Sequence, residues 1–239
     1  MTPETSSTTS SSSSPRVQDL SIGILGGTGD QGRGLAYRLA RAGQRVIIGS
    51  RSAERGANAA AEVASMPGVT GVVAGGANAD AGHAADLVIV AVPWDGHAET
   101  VASVRQPLAG KVVVDCVNPL GFDAKGPYAL RVPEGSAAEQ SQSLLPESRV
   151  CAAFHHVSAH VLLDPTVDEL DLDVLVLGED RDAVGLVIAL AGRIPGMRGV
   201  YAGRLRNAAQ VEALTANIIA INRRYRTNAG VRVTNLPGS

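Results

Sequence analysis

The sequence predicts an α/β protein: a Rossmann-type, doubly wound parallel sheet with a small C-terminal α/β domain. Three observations carry that expectation. "ILGGTGDQG" sets Gly27-x-Gly29-x-x-Gly32 directly after a short apolar run and directly before a helical pattern. "DLVIVAVP" (86–93) and "KVVVDCVNP" (111–119) are nearly continuous apolar runs, as central parallel strands buried on both faces require. Helical patterns alternate with these runs, which is how parallel sheets are built.

Each element follows from local pattern. Residues 1–16, "MTPETSSTTSSSSSPR", form a Ser/Thr tract with no apolar side chains to bury, so a disordered tail is expected. It lacks the basic and apolar regions of a secretion signal. "LSIGILG" (20–26) reads as the first strand. Leu35, Leu39 and Ala42 then mark one face of a helix that Gly43 closes. "RVIIGS" (45–50) is the second strand, 53–65 a second helix ended near Pro67, and "VTGVV" (69–73) a short third strand. The runs at 86–93 and 111–119 are central strands with the short helix "HAETVASV" between them. Residues 120–148, rich in Gly, Pro and Ser, break the alternation and read as a lid or insertion with one helix near 136–145. "RVCAAFHHVSA" resumes a strand, "DLDVLVLG" is a further one, and 181–193 is a helix. The longest helix, 204–225, repeats Val211, Leu214, Ile218, Ile221 and Tyr225 at helical spacing, and Ala and Ile219 occupy its other faces. It is expected to be buried against the first domain or a second subunit.

Composition narrows the function. The chain has 239 residues, 45% hydrophobic, with a net charge of −2. That is material for a full domain and a smaller second one, without the basic field that nucleic acid or an anionic membrane would select. No apolar run approaches the length of a membrane span. Cys116 and Cys151 stand alone beside apolar runs, as small buried residues in a reducing cytoplasm would. Lys111 and Lys125 are the only lysines.

The glycine turn has the strand before it and the helix after it that a dinucleotide site needs. Gly27 is read as permitting the tight turn, Gly29 as letting the backbone approach the pyrophosphate, and Gly32 as letting the helix pack close to the strand. Asp30 and Gln31 complete the turn at the helix N-terminus, whose free N–H groups and dipole favour phosphate. Where an NAD enzyme carries an acidic residue at the end of the second strand, this sequence has Ser50 and Arg51, with Arg55 one turn later. Forked, always-charged donors suit a ribose 2′-phosphate, so the expected cofactor is NADP, with Thr28 adding a hydroxyl.

The sequence resembles the NADPH-dependent reductases of coenzyme F420, also called F420H2:NADP oxidoreductases. The matching stretches are "ILGGTGDQGRGLAYRLARAGQRVIIGSRSAER", "VAVPWDGHAETV", "VVVDCVNPL", "AAFHHVSA" and "YAGRLRNAAQVEALTANIIAINRRY". They span nearly all of the chain after the tail. The resemblance implies hydride transfer between NADP(H) and F420, at nicotinamide C4 and C5 of the 8-hydroxy-5-deazaflavin ring. It places Thr28, Ser50, Arg51 and Arg55 on the 2′-phosphate. It places Pro93 and Trp94, with Val92 before them and Asn118 in a second matching stretch, on the cofactor. His155, as the catalytic candidate, with Val157, Ser158, Asn207 and Thr215, would face the deazaflavin. Residues 17–154 would then bind NADP, and 155–239 would form the deazaflavin pocket. Ala209 stands where a family member can carry an arginine, so Arg204 or Arg206 would meet the coenzyme's acidic tail instead. A homodimer is expected from the apolar last helix.

Other candidates are weaker. His155, His156 and His160 lack the Cys or carboxylate partners of a metal centre, so no metal is expected. Asp171 and Asp173 read as the solvated face of a strand. Glu212 is open between a buried, paired carboxylate and a site residue. No acid–base dyad is apparent, and none is required when both partners are ready-made hydride carriers. The rival readings are an NADP-dependent hydroxyacid dehydrogenase or imine reductase, and a non-enzymatic NADP-binding redox sensor. The dehydrogenases commonly take a proton-donating lysine from the second domain, and no lysine follows Lys125.

Overall fold

The computed structural model describes residues 16–236, so all of the Ser/Thr tail except Arg16 lies outside the described residues. The first half runs β1 (Ser21–Leu25), α1 (Asp30–Arg41), β2 (Arg45–Ser50), α2 (Ala53–Ala64), β3 (Val73–Ala77), α3 (Asn78–Ala84), β4 (Leu87–Val90), α4 (His97–Ser103), α5 (Arg105–Leu108) and β5 (Val112–Asp115). The second half adds β6 (Leu120–Asp123), β7 (Gly126–Ala129), α6 (Ala137–Leu144), β8 (Arg149–Ala152), α7 (Ala159–Leu163), β9 (Leu172–Gly178), α8 (Arg181–Ala191), β10 (Met197–Gly203) and α9 (Ala208–Tyr225).

Eight strands form one sheet in the order β10-β9-β8-β5-β4-β1-β2-β3, and β6 pairs with β7 in a separate antiparallel hairpin. Every pairing in the large sheet is parallel except β8 with β9. The winding direction reverses between β1 and β4, and in open α/β sheets the ligand crevice lies beyond the carboxyl ends of the strands at such a point. Strands β1, β4 and β5 are buried along their whole length. On β4, Leu87 and Ile89 enter the core layer on one face, while Val88 and Val90 enter the layer on the other. A sheet covered on both faces explains why these strands read as continuous apolar runs rather than alternations.

The third strand lies at Val73–Ala77, not at 69–73. Its sequence is VAGGA because α2 packs on it backbone to backbone: a Cβ on Gly56 would strike the Gly76 carbonyl, and one on Gly75 would strike that of Gly56. Residues 120–148 hold more structure than their composition implies. They form the hairpin and α6, and Ala137 and Ala138 of α6 are fully enclosed in the core. Strand β10 gives no clear signal in the sequence, since Gly199 and Gly203 interrupt its pattern. Strands β9 and β10 extend the sheet past residue 154, and one core layer runs from Leu20 to Met197. On α9, Val211 and Ile218 are buried, but Ile221 and Tyr225 are 39% and 72% exposed.

Asp173 is not on a solvated face. Its carboxylate is fully buried, takes two bonds of 2.8 Å from Arg198 and one of 3.1 Å from Arg232, and accepts the Val233 N–H. The Arg198 guanidinium holds its pKa at about 2. Asp171, one strand position earlier in that face's alternation, is exposed and pairs with Arg232. The second partner comes from the chain after α9, which local sequence pattern does not connect to β9.

Candidate active site

The glycine turn joins β1 to α1 as expected, with one change of role. The residue with positive φ is Gly26 (φ 70), where a Cβ would meet Val92 at 2.6 Å. Gly27 serves packing: a Cβ there would meet Ile48 of β2 at 2.8 Å and the Ile24 carbonyl at 3.0 Å. Gly32 lets α1 lie against the turn, since its Cβ would fall 2.6 Å from Gly27 Cα. Gly29 is the open position, with its nearest neighbour, the Gly26 carbonyl oxygen, at 3.6 Å. It precedes an α1 N-terminus that no side chain caps, which leaves the first N–H groups free to bind an anion. Asn78, at the start of α3, accepts the Gly26 N–H at 3.3 Å and fixes the turn from below. Sequence reading missed it; its only signal is an amide at a strand–helix junction.

At the end of β2, Ser50 is buried and accepts the Ser52 N–H at 3.4 Å, while Ser52 caps α2 by accepting the Arg55 N–H. Arg51 and Arg55 are exposed, and neither guanidinium has a partner among the described residues. Two unpaired forked cations, with Thr28 and an open Gly29 in the glycine turn, fit a dinucleotide carrying a 2′-phosphate.

Across the crevice, the loops after β5 and β8 meet α9. Asn118 Nδ2 donates to the His155 carbonyl at 2.8 Å. Thr215 Oγ1 is within bonding distance of the same carbonyl (3.1 Å) and of Asn118 Oδ1 (3.2 Å). Gln31 of the glycine turn reaches the Phe154 carbonyl at 3.4 Å, so the turn and the His155 loop are in direct contact. Phe154 holds a left-handed backbone (φ 65), which is uncommon for a bulky residue and marks this loop as constrained. The His155 ring is 3% exposed, its two nitrogens are enclosed, and the Cys116 and Val117 backbone lies beside it. Burial pushes its pKa down to about 4, so it is neutral at pH 7.

A clamp fixes this loop. Arg38 of α1 is buried and donates to the carbonyls of Leu162 (2.7 Å), Asp164 (2.8 Å), Val161 (2.6 Å) and Val167 (2.5 Å). Gly34, one turn earlier, lets Leu162 of α7 approach the helix, where a Cβ would meet it at 2.6 Å. The helix that opens at the phosphate turn thereby also holds the segment that follows His155.

Behind Trp94 lies a fully buried polar network. The Trp94 and His97 rings stack with centroids 5.4 Å apart. His97 Nε2 meets Asp115 Oδ2 at 2.7 Å, and Nδ1 meets Gln140 Oε1 at 2.8 Å. Ser141 donates to the same carboxylate, and Asp115 Oδ1 accepts the Val117 N–H at 3.0 Å. Burial opposes both charges, but each outweighs that cost through the other: the His97 pKa is raised and the Asp115 pKa lowered. This network went unread in the sequence, although an acid closing the apolar run "VVVD" was a signal of a buried, paired charge. Glu212 resolves as a buried carboxylate that caps α6, accepting the Ala137 and Ala138 N–H groups at 3.0 and 3.2 Å. Burial pushes its pKa up to about 7.

Other expected residues lie apart. Asn207 precedes α9 by one residue, about 12 Å along the helix from Thr215. Ser158 hydrogen-bonds Asn228 at 3.3 Å, and Val157 is buried. His156 meets the Asp173 carbonyl at 3.0 Å and His160 is exposed, so the three histidines do not converge. Among the described residues, no group of three or more His, Cys, Asp or Glu is placed to hold a metal. Lys111 caps α3 at the amino ends of the strands, donating to three carbonyls at 2.7–2.8 Å, and Lys125 is on the exposed hairpin. Neither lies in the crevice.

An open parallel sheet with an uncapped, glycine-lined helix N-terminus at its switch point defines a dinucleotide-binding oxidoreductase fold. Residues 21–119 match the family model described as NADP oxidoreductase, coenzyme F420-dependent. The F420-dependent NADP reductase of Methanothermobacter thermautotrophicus is 41% identical over 93% of this chain and 98% of its own. That of Methanocaldococcus jannaschii is 39% identical over 91% and 99%. A crystal structure of a putative F420-dependent NADP-reductase from Arthrobacter sp. FB24 superposes with a TM-score of 0.74 at 28% identity, covering 90% of this chain and all of that one. The chain belongs to the family of F420-dependent NADP reductases.

Proposed function

We propose that the protein catalyses hydride transfer between NADP(H) and coenzyme F420, the reaction of the family to which it belongs. The observation that carries the reading is the crevice at the β1/β4 switch point, where the phosphate turn and the Asn118–His155–Thr215 cluster are linked through Gln31 and Phe154. Bound there, the two carriers supply the chemistry: a hydride passes between nicotinamide C4 and deazaflavin C5.

The protein's own groups bind, orient and exclude water. Gly27, Gly29 and Gly32, with the N–H groups of Asp30 and Gln31, receive the pyrophosphate. Thr28, Ser50, Arg51 and Arg55 receive the 2′-phosphate. Val92, Pro93, Trp94 and Asn118 frame the nicotinamide. His155 and Thr215 lie at the centre of the deazaflavin pocket, and Val157, Ser158 and Asn207 stand further from it. His155 is neutral above a pKa of about 4, so it acts as a hydrogen-bond donor to the ring and not as an imidazolium acid. Residues 17–154 contribute the NADP part and the described residues after them the deazaflavin part, with the 120–129 hairpin beside the site and α6 in the core.

The exposed Ile221 and Tyr225 support a homodimer joined through their side of α9. Two free, buried cysteines support a reducing cytoplasm. Family membership favours this reading over the hydroxyacid dehydrogenase, imine reductase and redox-sensor alternatives. Mixing the protein with NADPH and oxidised F420 tests it: the deazaflavin absorbance falls if the reading is right and stays constant if it is wrong.

A further inference from the structure

A basic groove lies between the hairpin and the end of α9. The β6–β7 hairpin and the C-terminal half of α9 enclose about 410 Å³ lined by Lys125, Gly126, Ile219, Arg223, Arg224 and Arg226. Both walls start from site residues. The hairpin begins two residues after Asn118, and α9 carries Thr215, which lies 3.2 Å from Asn118. From there, Arg223 is about 12 Å further along the helix. At the far end, Gly126 (φ 117) turns the hairpin toward α9, and a Cβ on it would lie 4.0 Å from Arg223 Nη1.

The charge of this groove is uncompensated. Among the described residues, none of its four cationic side chains has a carboxylate or other acceptor. Elsewhere Arg33, Arg41, Arg198 and Arg232 each hold a carboxylate. The dipole of α9 favours cations in its last turn, which accounts for Arg223 and Arg224. It does not account for Lys125, which the hairpin brings from a different element. Nor does it account for Arg226, a non-glycine residue held in the left-handed region (φ 52) at the helix end. Four like charges around one concavity raise its potential and favour an entering anion.

We infer that this groove holds the anionic tail of the deazaflavin co-substrate, an extended chain of phosphate and carboxylate groups. The inference rests on the F420 reading above. The ring occupies the Asn118–Thr215 end, and the tail leads away from it between two cationic walls. The start of α9 offers less. Ala209 carries no charge and Arg204 is paired with Glu179 at 3.1 Å, which leaves Arg206 as the competing contact.

The test compares intact F420 with the tail-free 8-hydroxy-5-deazaflavin riboside as acceptors from NADPH. The quantity read is the ratio of their kcat/KM values. In the variant Arg223→Gln/Arg224→Gln this ratio is expected to fall about tenfold or more, through KM. Lys125→Gln, on the exposed hairpin, lowers it in the same direction and serves if the double variant does not fold. Added salt lowers it in the unmodified protein. Arg206→Gln leaves it within twofold. An unchanged ratio in both groove variants overturns the assignment, as does a fall confined to Arg206→Gln. Equal losses with both acceptors, together with a change in the mass of the assembly, give the groove to a protein contact and overturn it too. If the unmodified protein reduces neither acceptor, the F420 reaction itself fails, and the tail site with it. Turnover of both at equal efficiency removes the tail site alone.

Discussion

His97 Nε2 lies 2.7 Å from Asp115 Oδ2, with neither side chain exposed to solvent. The pair joins two walls of the crevice. His97 opens α4 behind Trp94, and Asp115 closes β5 just before Val117 and Asn118. A buried pair of this kind adds little net stability over an apolar core, but removing one partner leaves the other charged and uncompensated.

His97→Gln should therefore destabilise the protein by about 3–5 kcal/mol in urea melts. A second readout comes from Trp94, the only tryptophan in the chain. A protonated imidazole stacked on an indole quenches its emission, so emission should rise as the pH climbs through the raised pKa of His97. The variant should show no such titration. A flat profile in the unmodified protein would show that His97 does not change charge beside Trp94.

Arg51→Ala should raise the KM for NADPH about 10- to 100-fold, from the loss of about 1.5–3 kcal/mol of charge-assisted bonding. The KM for NADH should change little, because NAD carries no 2′-phosphate. Steady-state kinetics with both cofactors decide this. Equal losses would show that Arg51 does not read the phosphate.

His155→Ala should weaken F420 binding and slow hydride transfer about 10- to 100-fold, at about 1.4 kcal/mol per factor of ten, while NADPH binding is kept. Because burial holds its pKa at about 4, the rate should show no inflection from His155 between pH 5 and 8. Complete loss of turnover with both substrates still bound would make His155 an obligatory proton donor.

Two buried groups tilt stability with pH in opposite senses. His155 has a folded pKa of about 4, below its usual value, so stability present above pH 6.5 is lost as the pH falls toward 4. Glu212 has a folded pKa of about 7, above its usual value, so stability present below pH 4.5 is lost as the pH rises through 7. Glu212→Gln removes only the second slope. Relative to the unmodified protein, the variant should gain about 3 kcal/mol between pH 4.5 and 7. Chemical denaturation at a series of pH values measures it, and a constant difference would mean that Glu212 is ionised throughout.

Arg38→Leu should lower stability by about 3–5 kcal/mol, since four carbonyls, one buried and three partly buried, lose their donor at once. Hydrogen exchange should increase first in residues 159–168, the segment that Arg38 ties to α1. Loss of protection spread evenly over the chain would show that Arg38 is ordinary core packing.

The sequence by itself determined the strand–helix alternation, the phosphate turn and the cations after β2. These are local: apolar periodicity, a capping glycine and residues within one turn of each other encode them directly. Even the displaced third strand had a local cause, since its glycines mask the pattern that an exposed strand would show. Tertiary structure alone decided the rest. His97 meets Asp115 across 18 residues, Asn118 meets Thr215 across 97, and Arg38 reaches carbonyls more than 120 residues away. It also turned Asp173 inward, ran β9 antiparallel to β8 and formed β10 from an interrupted pattern. Such partners are chosen by which loops close and which strands share an edge, and the pattern within any one segment does not specify that choice.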